Sequence, residues 1–237
     1  MAETAKTIVA VHGAGMSSWA WDDLKGRLLL PCQTLSLPGH AQHDRSGLLP
    51  SIEQMAAWVA TQLRDQAPRS VILLGHSMGA LIALETAPHS AVGALVLLGA
   101  AAAMPVHPDL LRLAAENPAD AVEMVLKWGI AASHPHAAEI RTTLQQHMRE
   151  VSGTALGSDL AACDRYTHGA AAAKKIAKPV LVIAGADDKM TKAADGKALA
   201  AMMSGAQCEI LPDCGHMMML EKPAAVAEAI NAFSTRS

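Results

Sequence analysis

Short, continuously apolar runs punctuate this chain, each followed by a longer stretch of helical periodicity. Val71-Ile72-Leu73-Leu74 and Val180-Leu181-Val182-Ile183 are the clearest. A strand that is apolar at every position must be covered on both faces, which a parallel sheet flanked by helices provides. The runs predict strands at Thr7–Val11, Gln33–Leu37, Val71–Leu74, Ala94–Leu98, Val180–Ala184 and Gln207–Leu211. The fold class is therefore α/β, with about six parallel strands flanked by helices. Ser51, with Gln54 three residues on, reads as a capping box opening a helix whose apolar face is Ile52, Met55, Val59 and Leu63. The last helix starts at Pro223 and buries Val226, Ile230 and Phe233.

The alternation breaks between Met104 and Ala173, where no strand pattern appears. Asn117-Pro118 reads as an N-cap followed by proline at the first helical position, and Gly129 closes that helix. Pro108 and Pro135 open two more, and Leu156–Tyr166 forms a fourth. The chain thus divides into a core of residues 1–103 and 174–237 and a helical lid of residues 104–173, inserted before the last two strands. The Ala100–Ala103 and Ala170–Ala173 runs flank the insertion as candidate hinges.

Composition closes several other routes. With 237 residues, 51% hydrophobic and 17% charged, the chain has ample material for a core and is not a disordered protein. The net charge of −3 without Lys/Arg runs argues against nucleic-acid binding. No apolar stretch approaches the roughly 20 residues of a membrane span, and Met1 to Val11 lacks the features of a signal peptide. Cys32, Cys163, Cys208 and Cys214 show no metal or disulfide spacing, so the expectation is free thiols in a cytoplasmic protein. His134-Pro135-His136 reads as a helix start rather than a metal site. His40 and His43 are close enough in sequence to touch, and no metal site follows from that either.

The chemistry concentrates at Gly75-His76-Ser77-Met78-Gly79, between the strand Val71–Leu74 and the helical pattern Ala80–Ala87. This is Gly-x-Ser-x-Gly in a strand–turn–helix setting. A serine on so sharp a turn is raised above the sheet, and side chains two residues before and after it would collide, which glycine avoids. Ser77 is the candidate nucleophile.

With this motif in place the chain resembles the α/β-hydrolase superfamily over nearly its whole length. Three further matches carry the resemblance. His12-Gly13-Ala14-Gly15 after the first strand resembles the family's oxyanion loop, and the resemblance implies backbone N–H donors from Ala14 and Met78, with His12 buttressing the loop. Gly185-Ala186-Asp187-Asp188 after a late strand resembles the family's Gly-x-x-Asp acid, implying Asp188 rather than Asp187. The alternative acid position, Gly99 to Ala103, holds no carboxylate. Asp213-Cys214-Gly215-His216 implies His216 as the base, giving the expected order Ser77, Asp188, His216. Leu37-Pro38-Gly39-His40 resembles a structural turn of the family. The His-Gly loop begins only at residue 12, so against the family's usual pattern the first hairpin is expected to be missing. In this the chain looks like the plant methylesterase and hydroxynitrile-lyase branch.

The resemblance implies a serine hydrolase of carboxylesterase type, with thioesterase and lactonase activities using the same machinery. It needs no cofactor and no metal. Its partner is a small-molecule ester, and the expected state is monomer or homodimer. Alternatives are a cofactor-free lyase, a carbon–carbon hydrolase, or a binding and signalling protein with slow turnover. Dehalogenases and epoxide hydrolases of this fold need Asp where Ser77 stands. Met217 replaces the lysine that follows the base in the plant lyases. No lid arginine among Arg112, Arg141, Arg149 and Arg165 sits in a carbon–carbon hydrolase motif. Aromatics are only 3% of the chain, whereas Met numbers 13. The pocket should therefore be lined by Met, Leu and Ala, with Trp19, Met104, Met124, Trp128 and Met217 as candidates. His107, His147 and His168 read as lid surface residues.

Overall fold

Six parallel strands in the order β2-β1-β3-β4-β5-β6 form one sheet. They are β1 (Thr7–Val11), β2 (Cys32–Leu35), β3 (Val71–His76), β4 (Val92–Leu98), β5 (Val180–Gly185) and β6 (Gln207–Leu211). The structure is a computed structural model, and it describes residues 6–40, 47–151 and 154–236. The helices are α1 (Asp22–Lys25), α2 (Ile52–Gln62), α3 (Met78–Thr86), α4 (Pro108–Glu116), α5 (Pro118–Gly129) and α6 (Ala137–Glu150). They continue with α7 (Ala155–Arg165), α8 (Gly169–Ala173), α9 (Ala193–Ala201), α10 (Met218–Glu221) and α11 (Pro223–Ser234). This is the six-stranded α/β architecture read from the sequence.

Period-two alternation divides the core. Val9 and Val11 of β1 join Leu73, Leu95 and Val182 in one cluster with α2 and α3. Ile8 and Ala10 face the other way, into a cluster with Ile72, Val96, Ile183 and Phe233 of α11. β3 and β5 are buried at all six of their positions, as their apolar runs require. The edge strands β2 and β6 are more exposed, and polar residues interrupt them. No described helix is long and apolar enough to cross a membrane.

The second strand ends at Leu35 and not at Leu37 as expected. The Leu37 amide leaves the ladder to donate to Nε2 of His12 at 3.1 Å, and Pro38 follows with no amide to offer. Strands β3 and β5 each run on into the loops that carry the chemistry. At Ser51 half of the capping box forms, with Oγ accepting the Gln54 amide at 3.3 Å. Asn117 holds the N-cap position of α5, but its side-chain amide donates to the Asp120 carboxylate at 2.7 Å. Helix α6 begins at Ala137, two residues beyond Pro135.

Five described helices, α4 to α8, stand between β4 and β5, where the strand pattern fails. Ala170–Ala173 lies within the short helix α8, whereas Ala100–Ala103 is irregular.

Candidate active site

Strand register brings the chemistry together. Val11 pairs with Gly75, so the loop leaving β1 and the turn leaving β3 are neighbours. Leu98 pairs with Ile183, and Gly185 with Leu211, so the loops after β4, β5 and β6 emerge at the same end of the sheet. This is where parallel α/β sheets place their ligand sites.

At the β3–α3 turn, Ser77 adopts φ 53°, ψ −118°, a strained conformation for a non-glycine residue. Its amide donates to Leu98 O at 2.9 Å, which ties the turn to the end of β4. The two glycines are sterically required. A Cβ at Gly75 would lie 2.2 Å from Gly79 O, and one at Gly79 would lie 2.2 Å from Val11 O. The turn can therefore press directly on the loop that follows β1.

In that loop, Gly13 O accepts from Nδ1 of His12 at 2.9 Å and from the Met16 amide at 3.2 Å. His12 is wholly buried. Burial, with His40 beside it, pushes its imidazole down to about 3, so it is a neutral bracket between Gly13 and Leu37. The amides of Ala14 and Met78 find no acceptor among the described residues.

Asp188 follows β5 and is buried. Its Oδ2 accepts from Nδ1 of His216 at 2.7 Å and from the Thr191 hydroxyl at 2.9 Å. Its Oδ1 accepts the Met190 and Thr191 amides at 2.8 and 2.9 Å. Burial alone would raise this carboxyl, but the adjacent His216 and the hydrogen bonds outweigh it and hold the group below the ordinary carboxylate range. Asp187, its neighbour, is exposed.

His216 is held from both sides. Its amide and that of Met217 donate to Gly129 O at the end of α5, at 2.8 and 3.2 Å. Its carbonyl accepts from Nε2 of His76 at 2.9 Å, and the two rings lie 4.7 Å apart. Burial, then the neighbouring His216, pushes His76 down to about 3, so it stays neutral there.

Ser77, His216, Gly13 and Ala14 line one cavity of about 340 Å³, whose remaining wall is mostly apolar. The Ser77 hydroxyl and His216 share no hydrogen bond. Of the expected wall residues, Met104, Trp128 and Met217 line the cavity. Trp19 and Met124 do not. Trp19 stacks on His147 of α6 at 4.4 Å. Met124 lies beside Val125 on α5, about 100° round the helix from a residue that does face the cavity.

The sequence reading missed Leu156 and Leu160 of α7, Val125 of α5, and Thr191. Thr191 could have been noticed from Asp-x-x-Thr spacing, a common side-chain-to-backbone turn. His107 also lines the cavity, with its ring against Trp128 at 5.6 Å. His168 is a surface residue near Glu53. His134 Nε2 donates to Glu221 O at 2.8 Å, and its Nδ1 accepts the His136 amide at 3.2 Å. His43 lies outside the described residues. His40 lies 2.8 Å from Asp159 and 3.0 Å from Pro38 O.

The chain matches the alpha/beta hydrolase family over residues 8–229. It is 28% identical over 250 residues to a pimeloyl-[acyl-carrier protein] methyl ester esterase of Aromatoleum aromaticum, covering 91% of this chain and 93% of that protein. Among solved structures it superposes on a thermophilic esterase with TM-score 0.79 and 26% identity, over 99% of this chain and 91% of that one. It also superposes on the enol-lactonase of Burkholderia xenovorans with TM-score 0.88 and 22% identity, over 98% and 92%. The second likeness is one of fold.

Proposed function

Because the chain belongs to the alpha/beta hydrolase family, we propose that it is a serine esterase, cleaving small to medium carboxylic esters through an acyl-enzyme on Ser77, His216 and Asp188. The observation that carries this reading is the 2.7 Å contact of Asp188 with Nδ1 of His216, behind a cavity that both His216 and Ser77 line. Asp188 fixes the tautomer with the proton on Nδ1, which leaves Nε2 free to accept one.

In the forward step Ser77 Oγ attacks the ester carbonyl carbon while its proton passes to Nε2 of His216. Asp188 stabilises the imidazolium. The carbonyl oxygen becomes an oxyanion and accepts from the Ala14 and Met78 amides, donors that are in place before the reaction begins. Collapse breaks the C–O bond, and the leaving alkoxide takes the proton from Nε2. Water then repeats the sequence, with His216 as base, and releases the acid and free Ser77. The inserted helices α4 to α8 act as a lid that supplies the acyl wall. The substrate class rests on the cavity's size and its Met and Leu lining, which suits short and medium acyl chains. The esterase names of the similar proteins support the reaction class. The protein is expected to work in the cytoplasm, as a monomer or homodimer and without a cofactor.

A panel of p-nitrophenyl esters of increasing chain length, with a fluorophosphonate label, tests the reading. Wild-type protein should turn over the short and medium esters and take the label at Ser77, and Ser77→Ala should do neither. Wild-type protein that neither labels nor hydrolyses any ester sinks the esterase reading.

A further inference from the structure

Asp159 is a carboxylate buried to 0% exposure on α7, an inserted helix, yet its partners lie in the core. Its Oδ2 accepts the Gly15 amide at 2.8 Å and lies 2.8 Å from Nε2 of His40. Nδ1 of His40 faces Pro38 O at 3.0 Å. Both ring nitrogens therefore meet acceptors, a network that assigns a proton to each and makes the ring an imidazolium. Asp159 Oδ1 is buried with no hydrogen-bond partner among the described residues, so Oδ2 carries the contacts to Gly15 and His40, and His40 in turn packs on His12, ring centroids 5.0 Å apart. A buried ion pair is poor evidence of stability, since apolar filling of the same space often does as well. What this pair fixes is direction.

The direction concerns the oxyanion loop. A peptide group is planar, with its N–H opposed to its C=O. The Gly13–Ala14 peptide is oriented through Gly13 O, which His12 and the Met16 amide hold. The next peptide, Ala14–Gly15, is oriented through the Gly15 amide, which Asp159 holds. Ala14 sits between two peptide planes, each pinned by a hydrogen bond. The loop and α7 are also in close contact, because a Cβ at Gly15 would lie 2.9 Å from Leu156 Cδ1.

We propose that Asp159 is a positioning residue of the oxyanion hole, holding the Ala14–Gly15 peptide from the lid helix α7 with His40 as its countercharge. This rests on the esterase reading above. It adds that the transition-state donor is aimed by a residue of the inserted helices. Asp159 touches no reacting atom. Its effect should appear where oxyanion stabilisation appears, in kcat and in the affinity for analogues of the tetrahedral state.

The test compares Asp159→Ala and Asp159→Asn with wild type on p-nitrophenyl butyrate and with an alkyl trifluoromethyl ketone, whose adduct on Ser77 carries the oxyanion. Asp159→Ala should lose about 100-fold in kcat, the scale of one lost oxyanion donor. Asp159→Asn, which keeps one acceptor oxygen but no charge, should recover a substantial part of that loss. KM should hardly move in either variant, and the ketone should weaken in step with kcat/KM. In protein labelled with 15N-glycine, the Gly15 amide should exchange with solvent faster in both variants than in wild type. That measurement needs no turnover, and Asp159→Asn supplies it if Asp159→Ala does not fold. A rise in KM at constant kcat, a fall in kcat without weaker ketone binding, or unchanged Gly15 exchange overturns the assignment. Normal wild-type turnover with unaltered variants sinks this inference alone. Absent wild-type turnover and labelling sinks the esterase reading instead.

Discussion

Glu221 Oε2 accepts the Gly215 amide at 2.9 Å, one residue before the candidate base. The same oxygen accepts the Ala131 amide at 2.9 Å, and Oε1 accepts the Met217 amide at 3.0 Å. One buried carboxylate thus satisfies both neighbours of His216 and the end of the inserted helix pair. Replacing it with alanine leaves the Gly215 and Ala131 amides unpaired, while the Met217 amide keeps Gly129 O. Glu221→Ala should lose about 2 kcal/mol or more, at roughly 1–3 kcal/mol for each orphaned group. Turnover should fall with it. Urea unfolding and ester kinetics check this, and unchanged values in both would refute the bracing role.

The acid assignment separates two adjacent carboxylates. Asp188→Asn should lower kcat by about 10⁴-fold, because the amide cannot hold His216 in the required tautomer. Asp187→Asn should leave turnover near wild type, as that side chain is exposed. Thr191→Val removes the hydroxyl that touches both Asp188 Oδ2 and, at 3.1 Å, His216 Nδ1. It should lower kcat by about ten-fold, the worth of roughly one hydrogen bond to a charged group. Loss of turnover in Asp187→Asn with retention in Asp188→Asn would reverse the assignment.

Acyl-chain selection should follow the side chains of α5 and α7. Val125→Phe and Leu160→Phe each fill space in the cavity wall. Each should lower kcat/KM for octanoate far more than for acetate, with a stability cost of about 1–3 kcal/mol from overpacking. The wild-type protein, with four Met and three Leu in the cavity wall, should tolerate several chain lengths. A sharp preference for one aromatic acyl group in the p-nitrophenyl panel would contradict this pocket.

Stability should peak near pH 6.5. His12 and His76 are held at about 3 in the fold, mainly by burial, against about 6.5 when unfolded. The unfolded chain therefore takes up protons first as pH falls, so their contribution is complete above pH 6.5 and is lost progressively down to about 3. His40 moves oppositely. Burial lowers it, but Asp159 more than compensates and raises it, so its contribution is complete below pH 6.5 and disappears as pH rises through its folded value. Urea midpoints at pH 4.5, 6.5 and 8.5 should be highest in the middle. His76→Asn should flatten the acid side, and His40→Gln the alkaline side. A wild-type midpoint that climbs steadily into acid would rule out the depressed His12 and His76, and one that climbs steadily to pH 8.5 would rule out the raised His40.

The strands were legible because burial on two faces demands unbroken apolar runs, and the Ser77 turn because its glycines have steric causes that local sequence displays. The resemblance of Gly185-Ala186-Asp187-Asp188 to the family's acid position pointed to Asp188 rather than Asp187, and the contact of Asp188 with His216 favours the same choice. The cavity wall was harder. The inserted helices carry apolar residues toward the sheet as well as toward the cavity, so hydrophobicity could not tell Val125 from Met124. Trp19 looked like a pocket residue by its position after the loop, but the aromatic partner that claims it, His147, is remote in sequence. Asp159 and His40 are 119 residues apart and have no shared motif, and their pairing exists only once α7 has folded onto the core.

The Gly129 carbonyl, which receives the amides of both His216 and Met217, makes the end of α5 part of the scaffold that holds His216. On the esterase reading, the segment proposed to shape substrate choice therefore also holds the proposed base. Grafting residues 104–173 from a relative with another preference transplants half of that support, and the chimera inherits the donor's acyl range only if a backbone acceptor returns to the place of Gly129. In this molecule, altering selectivity by exchanging a cassette and preserving rate are one engineering problem.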